Sequence, residues 1–184
     1  MDPKSWINLE KAAILLVEPN STNMQILKQV FAGFGARKPL ACATADEAME
    51  IATGQEVNLI VVSDTLGDMD GYEFVRTLRR SDTDQNVFTP VIVVSGHTKR
   101  RLVATARDCG ANFVVAKPMS PQTLLERILW VAKECRPFVD TGTYLGPDRR
   151  FKDEFTDSTP RRRRKDADRP AAQAAETDQF KGAA

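Results

Sequence analysis

Histidine is nearly absent from this 184-residue chain, with His97 the single copy. One imidazole speaks against a His-ligated metal. It also leaves no Cys–His or Ser–His–Asp nucleophile set, and no glycine-rich phosphate loop of the Walker type occurs. The chain therefore reads as non-enzymatic. Cysteine is sparse: Cys42, Cys109 and Cys135 are far apart, form no CxxC and leave an odd count. That excludes a disulfide framework and argues against a zinc site. No apolar run reaches 18 residues, so no helix is expected to span a membrane. The N-terminal MDPKSWINLEK lacks the apolar stretch of a signal peptide, and the expected compartment is the reducing cytoplasm.

Apolar residues make up 42% of the chain, enough for a packed core, and the formal net charge is only +1. The charge is unevenly spread. Residues 1–135 hold 15 Lys/Arg and 16 Asp/Glu, whereas residues 136–184 hold 11 and 9 and are poor in Val, Ile and Leu. The second stretch cannot bury enough apolar surface to fold alone and is expected to be a flexible tail. The predicted organisation is an N-terminal segment over 1–11, a domain over 12–135 and an arginine-rich tail over 136–184.

Short continuous apolar runs occur at 12–17 (AAILLV), 59–62 (LIVV), 91–94 (VIVV) and 113–116 (FVVA), with a weaker one at 39–43 (PLACA). Continuous runs suit strands buried on both faces, as in a parallel sheet. The segments between them have helical spacing. Met24, Leu27, Phe31 and Phe34 form one stripe, and Thr44–Glu47 reads as a capping box. Gly71 precedes Phe74, Val75 and Leu78, and Thr98 precedes Leu102, Val103 and Ala106. Pro121 opens a last helix carrying Leu124, Leu125, Ile128 and Val131. Five strands alternating with five helices predict a doubly wound α/β domain, with a five-stranded parallel sheet in the order 2-1-3-4-5. The predicted core includes Ile14, Leu16, Leu27, Phe31, Ile60, Val62, Ile92, Val94, Val115 and Ile128. Ligands of such folds meet the carboxyl ends of the strands. The residues of interest are therefore Glu18-Pro19-Asn20, Ser63-Asp64-Thr65, Ser95-Gly96 and Lys117-Pro118.

Over residues 12–134 the sequence resembles the CheY-like receiver domain of bacterial response regulators. The carrying stretches are ILLVEPNSTNMQILKQVF, NLIVVSDTLGDMDGYEFVRTLRR, TPVIVVSG and GANFVVAKPMSPQTLL. Met69-Asp70-Gly71 together with Lys117-Pro118 are the specific elements. The resemblance implies phosphoryl transfer from a histidine kinase to an Asp at the end of the third strand. Two acidic residues after the first strand would hold Mg²⁺ there, and a hydroxyl and a lysine would hold the phosphoryl oxygens.

The sequence departs from that pattern at several positions. The family places the acceptor eight residues before the Gly of Asp-Gly, and counting back from Gly71 lands on Ser63. A serine cannot form an acyl phosphate. The adjacent Asp64 would serve only through a one-residue slip, which turns a strand side chain to the opposite face. After the first strand stand Glu18 and Pro19, and Pro19 offers no side-chain ligand. Two of three carboxylates are thus missing, and no tight metal site is expected. Ser95 and Lys117 keep the hydroxyl and cation positions, as remnants of a phosphate pocket. The lysine is expected to pair with Glu18 or Asp64. The family's switch aromatic, three residues before the lysine, is Val114 here. These departures together predict a degenerate receiver, with a conventional receiver using Asp64 as the alternative.

The tail holds two arginine clusters, Tyr144–Phe151 (YLGPDRRF) and Arg161–Lys165 (RRRRK). One reading is a solvated basic tail. A second is weak electrostatic attachment to nucleic acid or an anionic membrane, although interleaved carboxylates dilute the field and argue against specific nucleic-acid binding. The third is a resemblance to arginine-rich extensions of CheY-like effectors of cyclic di-GMP. It implies ligand contacts from Tyr144, Asp148, Arg149, Arg150, Asp157, Arg161, Arg162, Arg163 and Arg164. Guanidinium groups suit guanine edges and phosphate oxygens. The family commonly uses the region corresponding to 98–134 for protein docking or dimerisation, which makes it the expected partner and homodimer surface.

Overall fold

Three central strands are buried on both faces in the computed structural model, which describes residues 9–81, 85–96, 108–133 and 136–148. Strands β1 (Ile14–Val17), β2 (Leu40–Cys42), β3 (Leu59–Ser63), β4 (Val91–Ser95) and β5 (Phe113–Ala116) pair in parallel, in the order β2-β1-β3-β4-β5. Between and after them lie α1 (Ser21–Gly33), α2 (Ala45–Gly54), α3 (Gly71–Arg79) and α4 (Pro121–Lys133). The helix expected after Thr98 falls at 97–107, outside the described residues.

Side chains alternate across each strand, and the sheet divides the core accordingly. Leu15, Val17, Ile60, Val62 and Val93 pack with Ala48, Phe74, Val75 and Leu78 of α2 and α3. Ile14, Leu16, Val61, Ile92 and Val115 pack with Leu27, Phe31, Leu124 and Ile128 of α1 and α4. All ten residues expected in the core are buried.

The helix starts are set by local chemistry. Asn20, Thr44 and Asp70 accept backbone N–H groups of the first turns they cap. Glu47 reaches back to the N–H of Ala43 at 3.1 Å, one residue before the cap. At α2 a second carboxylate joins: Asp68, in the loop after β3, accepts the N–H groups of Ala45 at 2.8 Å and Asp46 at 3.1 Å. Gly71 opens α3 because nothing larger fits; a Cβ there would lie 1.9 Å from the Ser63 carbonyl oxygen.

The chain does not leave the domain at residue 136. Strands β6 (Phe138–Asp140) and β7 (Leu145–Pro147) form an antiparallel hairpin. This corrects the expected tail boundary for residues 136–148. Gly142, at φ +77, makes the turn, and Asp140 Oδ1 accepts its N–H at 2.8 Å. The hairpin lies on the turn before β5 by a close backbone approach. Gly110 has φ +94, and a Cβ on it would meet the Leu145 carbonyl oxygen at 2.4 Å. A Cβ on Gly146 would meet the Gly110 Cα at 2.7 Å.

Buried Arg79 completes the junction. It donates from Nε to Gly110 O at 3.2 Å, from Nη1 to Val87 O, and from Nη2 to Asn112 Oδ1 at 3.5 Å. Its guanidinium also lies 5.1 Å from the Phe138 ring centre. Burial lowers its pKa to about 10, which still leaves it charged at neutral pH.

Candidate functional site

Three strand ends bring their polar side chains together on the α1/α4 side of the sheet. Glu18 follows β1, Ser63 ends β3 and Lys117 follows β5. Continuing the alternation from Leu16, Val61 and Val115 turns all three to that face. Lys117 Nζ donates to Glu18 Oε2 at 2.7 Å and to Ser63 Oγ at 3.0 Å. Glu18 is 3% exposed, and its Oε1 accepts the Asn20 N–H at 3.0 Å. Of the two partners expected for Lys117, the structure gives Glu18. The Lys117–Pro118 peptide is cis. A cavity of about 400 Å³ opens beside the pair, walled by Ile26, Leu27 and Met119.

Asp64 and Ser95 occupy the opposite, α2/α3 side. Ser95 Oγ donates to Asp64 Oδ2 at 2.6 Å, and both residues are buried. The sequence pattern groups Ser95 with Lys117; the Lys117 N–H donates to the Ser95 carbonyl at 2.7 Å, but the two side chains leave on opposite faces. Ser95 continues the Val91–Val93 face, whereas Lys117 continues the Phe113–Val115 face. Tyr72, on α3, buries its ring and hydroxyl on the same side of the sheet. Burial raises its pKa, and the nearby Ser95 hydroxyl offsets part of that rise.

This donor set does not fit a magnesium ion, which is small and takes oxygen ligands in near-octahedral geometry. The Glu18 carboxylate is already bonded to an ammonium group and a backbone N–H, and the neighbouring Asp64 carboxylate is turned to Ser95. Pro19 contributes no side-chain oxygen, and Ser63 is engaged by Lys117. Among the described residues no three Asp, Glu, His or Cys side chains converge as metal ligands.

Of the expected tail ligands, two are described. Tyr144 is part of the hairpin: its hydroxyl donates to Pro147 O at 2.9 Å and its ring lies over Gly146. The Asp148 N–H donates to Pro137 O at 2.8 Å, closing the open end of the hairpin. Arg149, Arg150, Asp157 and Arg161–Arg164 lie outside the described residues. Of the expected docking stretch, β5 and α4 are described. They carry an edge-to-face pair of Phe113 and Trp130, with Arg127 over the first ring and Arg136 over the second. No helix among the described residues is long and apolar enough to cross a membrane.

A second cavity, of about 530 Å³, has little trace in the sequence. It lies between the C-terminal end of α3, the 85–88 turn and the hairpin. Its signal is weak because Phe88 reads as an isolated aromatic and Asp140 as a turn residue.

A family model described as response regulator receiver domain matches residues 14–129. The chain is 29% identical over 120 residues to the transcriptional regulatory protein YvrH of Bacillus subtilis, covering 65% of this chain and 48% of that protein. It thus spans about half the length of that relative. It is 27% identical over 116 residues to a chemotaxis protein CheY homolog of Campylobacter jejuni, covering 62% of this chain and 88% of the homolog. Among solved structures, chemotaxis response regulator CheY4 of Vibrio cholerae superposes with a TM-score of 0.60 at 25% identity, over 65% of this chain and 98% of that one. A receiver domain of a sensor histidine kinase from Pseudomonas aeruginosa superposes with a TM-score of 0.58 at 24% identity, over 66% of this chain and 98% of that one. That structure holds a magnesium ion in its active-site cleft.

Proposed function

The chain belongs to the response regulator receiver domain family, the signalling modules of two-component systems that dock with partner proteins, and within it we propose an atypical member that signals without a phosphoryl group. The observation that supports this reading is the contact of Lys117 with Ser63, 3.0 Å apart, because counting back from Gly71 puts Ser63 where the family has its acceptor carboxylate. A hydroxyl there can hold the lysine but cannot become an acyl phosphate. The arginine-rich tail takes over the input by binding cyclic di-GMP through Asp148, Arg149, Arg150, Asp157 and Arg161–Arg164. Guanidinium forks fit both guanine edges and phosphates. Output is docking on a cytoplasmic protein, or on a second copy, through residues 98–134.

Two measurements test this. Acetyl phosphate with Mg²⁺ should leave no labile phosphate adduct by mass spectrometry; an adduct lost in Asp64→Ala would establish the conventional receiver instead. Calorimetry of the full chain with cyclic di-GMP should show binding that Arg150→Ala weakens about 5- to 150-fold. Arg150→Lys should be nearly as damaging, because lysine keeps the charge but not the planar fork. If lysine serves as well as arginine and binding falls steeply with salt, the tail is a general polyanion attractor.

A further inference from the structure

The cavity beside the hairpin carries chemistry that the receiver site does not use. Phe88 is 62% exposed, and the edge-to-face contact with Phe138, 5.2 Å between ring centres, holds its ring in place. A large ring fixed in that way at the mouth of a cavity is a stacking surface. Arg80 is anchored by one N–H to the Thr143 carbonyl at 3.3 Å, so its guanidinium is set at the rim with further donors. Asp140 is exposed. Its Oδ1 accepts the Gly142 N–H, which fixes the carboxylate. Gln85 adds an amide. The cavity, of about 530 Å³, falls within the range of roughly 300–1,000 Å³ for small-molecule sites.

A flat π-face, a forked donor and a carboxylate around one cavity define a ligand. The ligand must be planar, with acceptors on one edge and paired N–H donors on another. Guanine has this pattern: O6 and N7 accept from an arginine, and N1–H with the N2 amino group donate to a carboxylate. Adenine has no N1–H, and at the position of O6 it carries an amino group, so it mismatches both charged residues.

We infer that this cavity is a guanine seat, with the base stacked on Phe88, its acceptor edge toward Arg80 and its donor edge toward Asp140. The inference rests on the reading of the tail as a cyclic di-GMP binder, because the tail would supply the phosphate contacts. Its sequence position suits that division of labour. Asp148 is bonded to Pro137 at the open end of the hairpin, so Arg149 and Arg150 follow immediately after the element that forms one wall of the seat.

Calorimetry on the full chain separates the two ideas. Phe88→Ala removes an exposed ring, so the fold should persist, as urea unfolding would verify. Cyclic di-GMP binding should weaken about 5- to 150-fold, the range for losing one base–aromatic stack. Asp140→Asn keeps an oxygen for the Gly142 N–H but sets an amide against the guanine donors. It should narrow the preference for cyclic di-GMP over cyclic di-AMP. Amide hydrogen exchange at 85–88 and 140–145 should slow on binding. If Arg150→Ala weakens binding while Phe88→Ala and Asp140→Asn match wild type, the seat is overturned and the tail reading stands. Equal affinity for the guanine and adenine dinucleotides in wild type overturns the base assignment. A wild-type chain that binds no cyclic di-GMP overturns both.

Discussion

Lys117 Nζ stands 3.0 Å from Ser63 Oγ and 2.7 Å from Glu18 Oε2, so this ammonium group is balanced by the carboxylate beside it. The arrangement is electrically closed. Among the described residues no three metal-ligating side chains converge there, and a serine hydroxyl cannot form an acyl phosphate. On the atypical reading proposed above, two side chains separate this site from a phosphorylated one, and both can be introduced.

Ser63→Asp with Pro19→Asp should therefore turn the site into a phosphate acceptor. The new carboxylate at 63 would face Lys117, and the one at 19 would join Glu18 as an oxygen donor for Mg²⁺. Incubated with acetyl phosphate and Mg²⁺, the double variant should gain one labile phosphate by intact-mass measurement, and wild type should gain none. A wild-type adduct, or a double variant as inert as wild type, would show that the two substitutions are not what separates this chain from phosphorylated receivers.

Gly71 is required by space. Its missing Cβ would sit 1.9 Å from the Ser63 carbonyl oxygen, which is backbone and has little room to move. Gly71→Ala should cost about 1–3 kcal/mol, as overpacking does, and push α3 off the end of β3. Gly33 is the control, since a Cβ there would meet nothing within 4 Å. Gly33→Ala should be neutral or slightly stabilising. Urea unfolding of the two variants reads the difference, and equal effects would remove the steric explanation.

Asp68 gives the fold an acid limit. The Ala45 N–H is the largest cause holding its carboxyl below the ordinary value of 3.8. Desolvation opposes that, and the Asp46 N–H adds to the lowering. A group with a lowered folded-state pKa contributes stability that is present above 3.8. That contribution is lost as the pH falls through the folded value. Asp68→Asn should be less stable than wild type at neutral pH, and the gap should close in acid below that range. A gap that persists there would assign the effect to packing rather than to charge at the α2 N-terminus.

The parallel sheet was legible because its strands are continuous apolar runs. The opposite facing of Asp64 followed from strand alternation alone, and the structure pairs that side chain with Ser95. The partner of Ser95 was not legible. It depends on which face β4 turns at its last residue, and a run such as VIVVS is apolar on both faces. The hairpin escaped because each of its strands is three residues long, too short for a period to register. Arg79 escaped because an arginine at the end of an amphipathic helix reads as a solvated charge. Its burial depends on acceptors outside its own helix, from Val87 in the next turn and from Gly110 and Asn112, 31 and 33 residues on.

Arg79 should prove to be what holds the hairpin to the domain. It is one residue that touches the 85–88 turn, the turn before β5 and the Phe138 ring. Arg79→Ala leaves the Gly110 and Val87 carbonyls without this donor, and unsatisfied buried groups cost about 1–3 kcal/mol each. Arg79→Lys keeps the charge, but a single ammonium group cannot span three acceptors in the plane of a guanidinium. It should therefore recover little. The distinguishing measurement is local. Amide exchange at 138–148 should rise well beyond the change in global stability read by urea, because Arg79 makes contacts that the hairpin's own pairing, the Gly110–Gly146 approach, the Arg80–Thr143 bond and the Phe88–Phe138 contact do not replace. A uniform loss across the chain, with no excess at 138–148, would assign the docking to those other contacts and leave Arg79 a buried charge that serves the α3 junction alone.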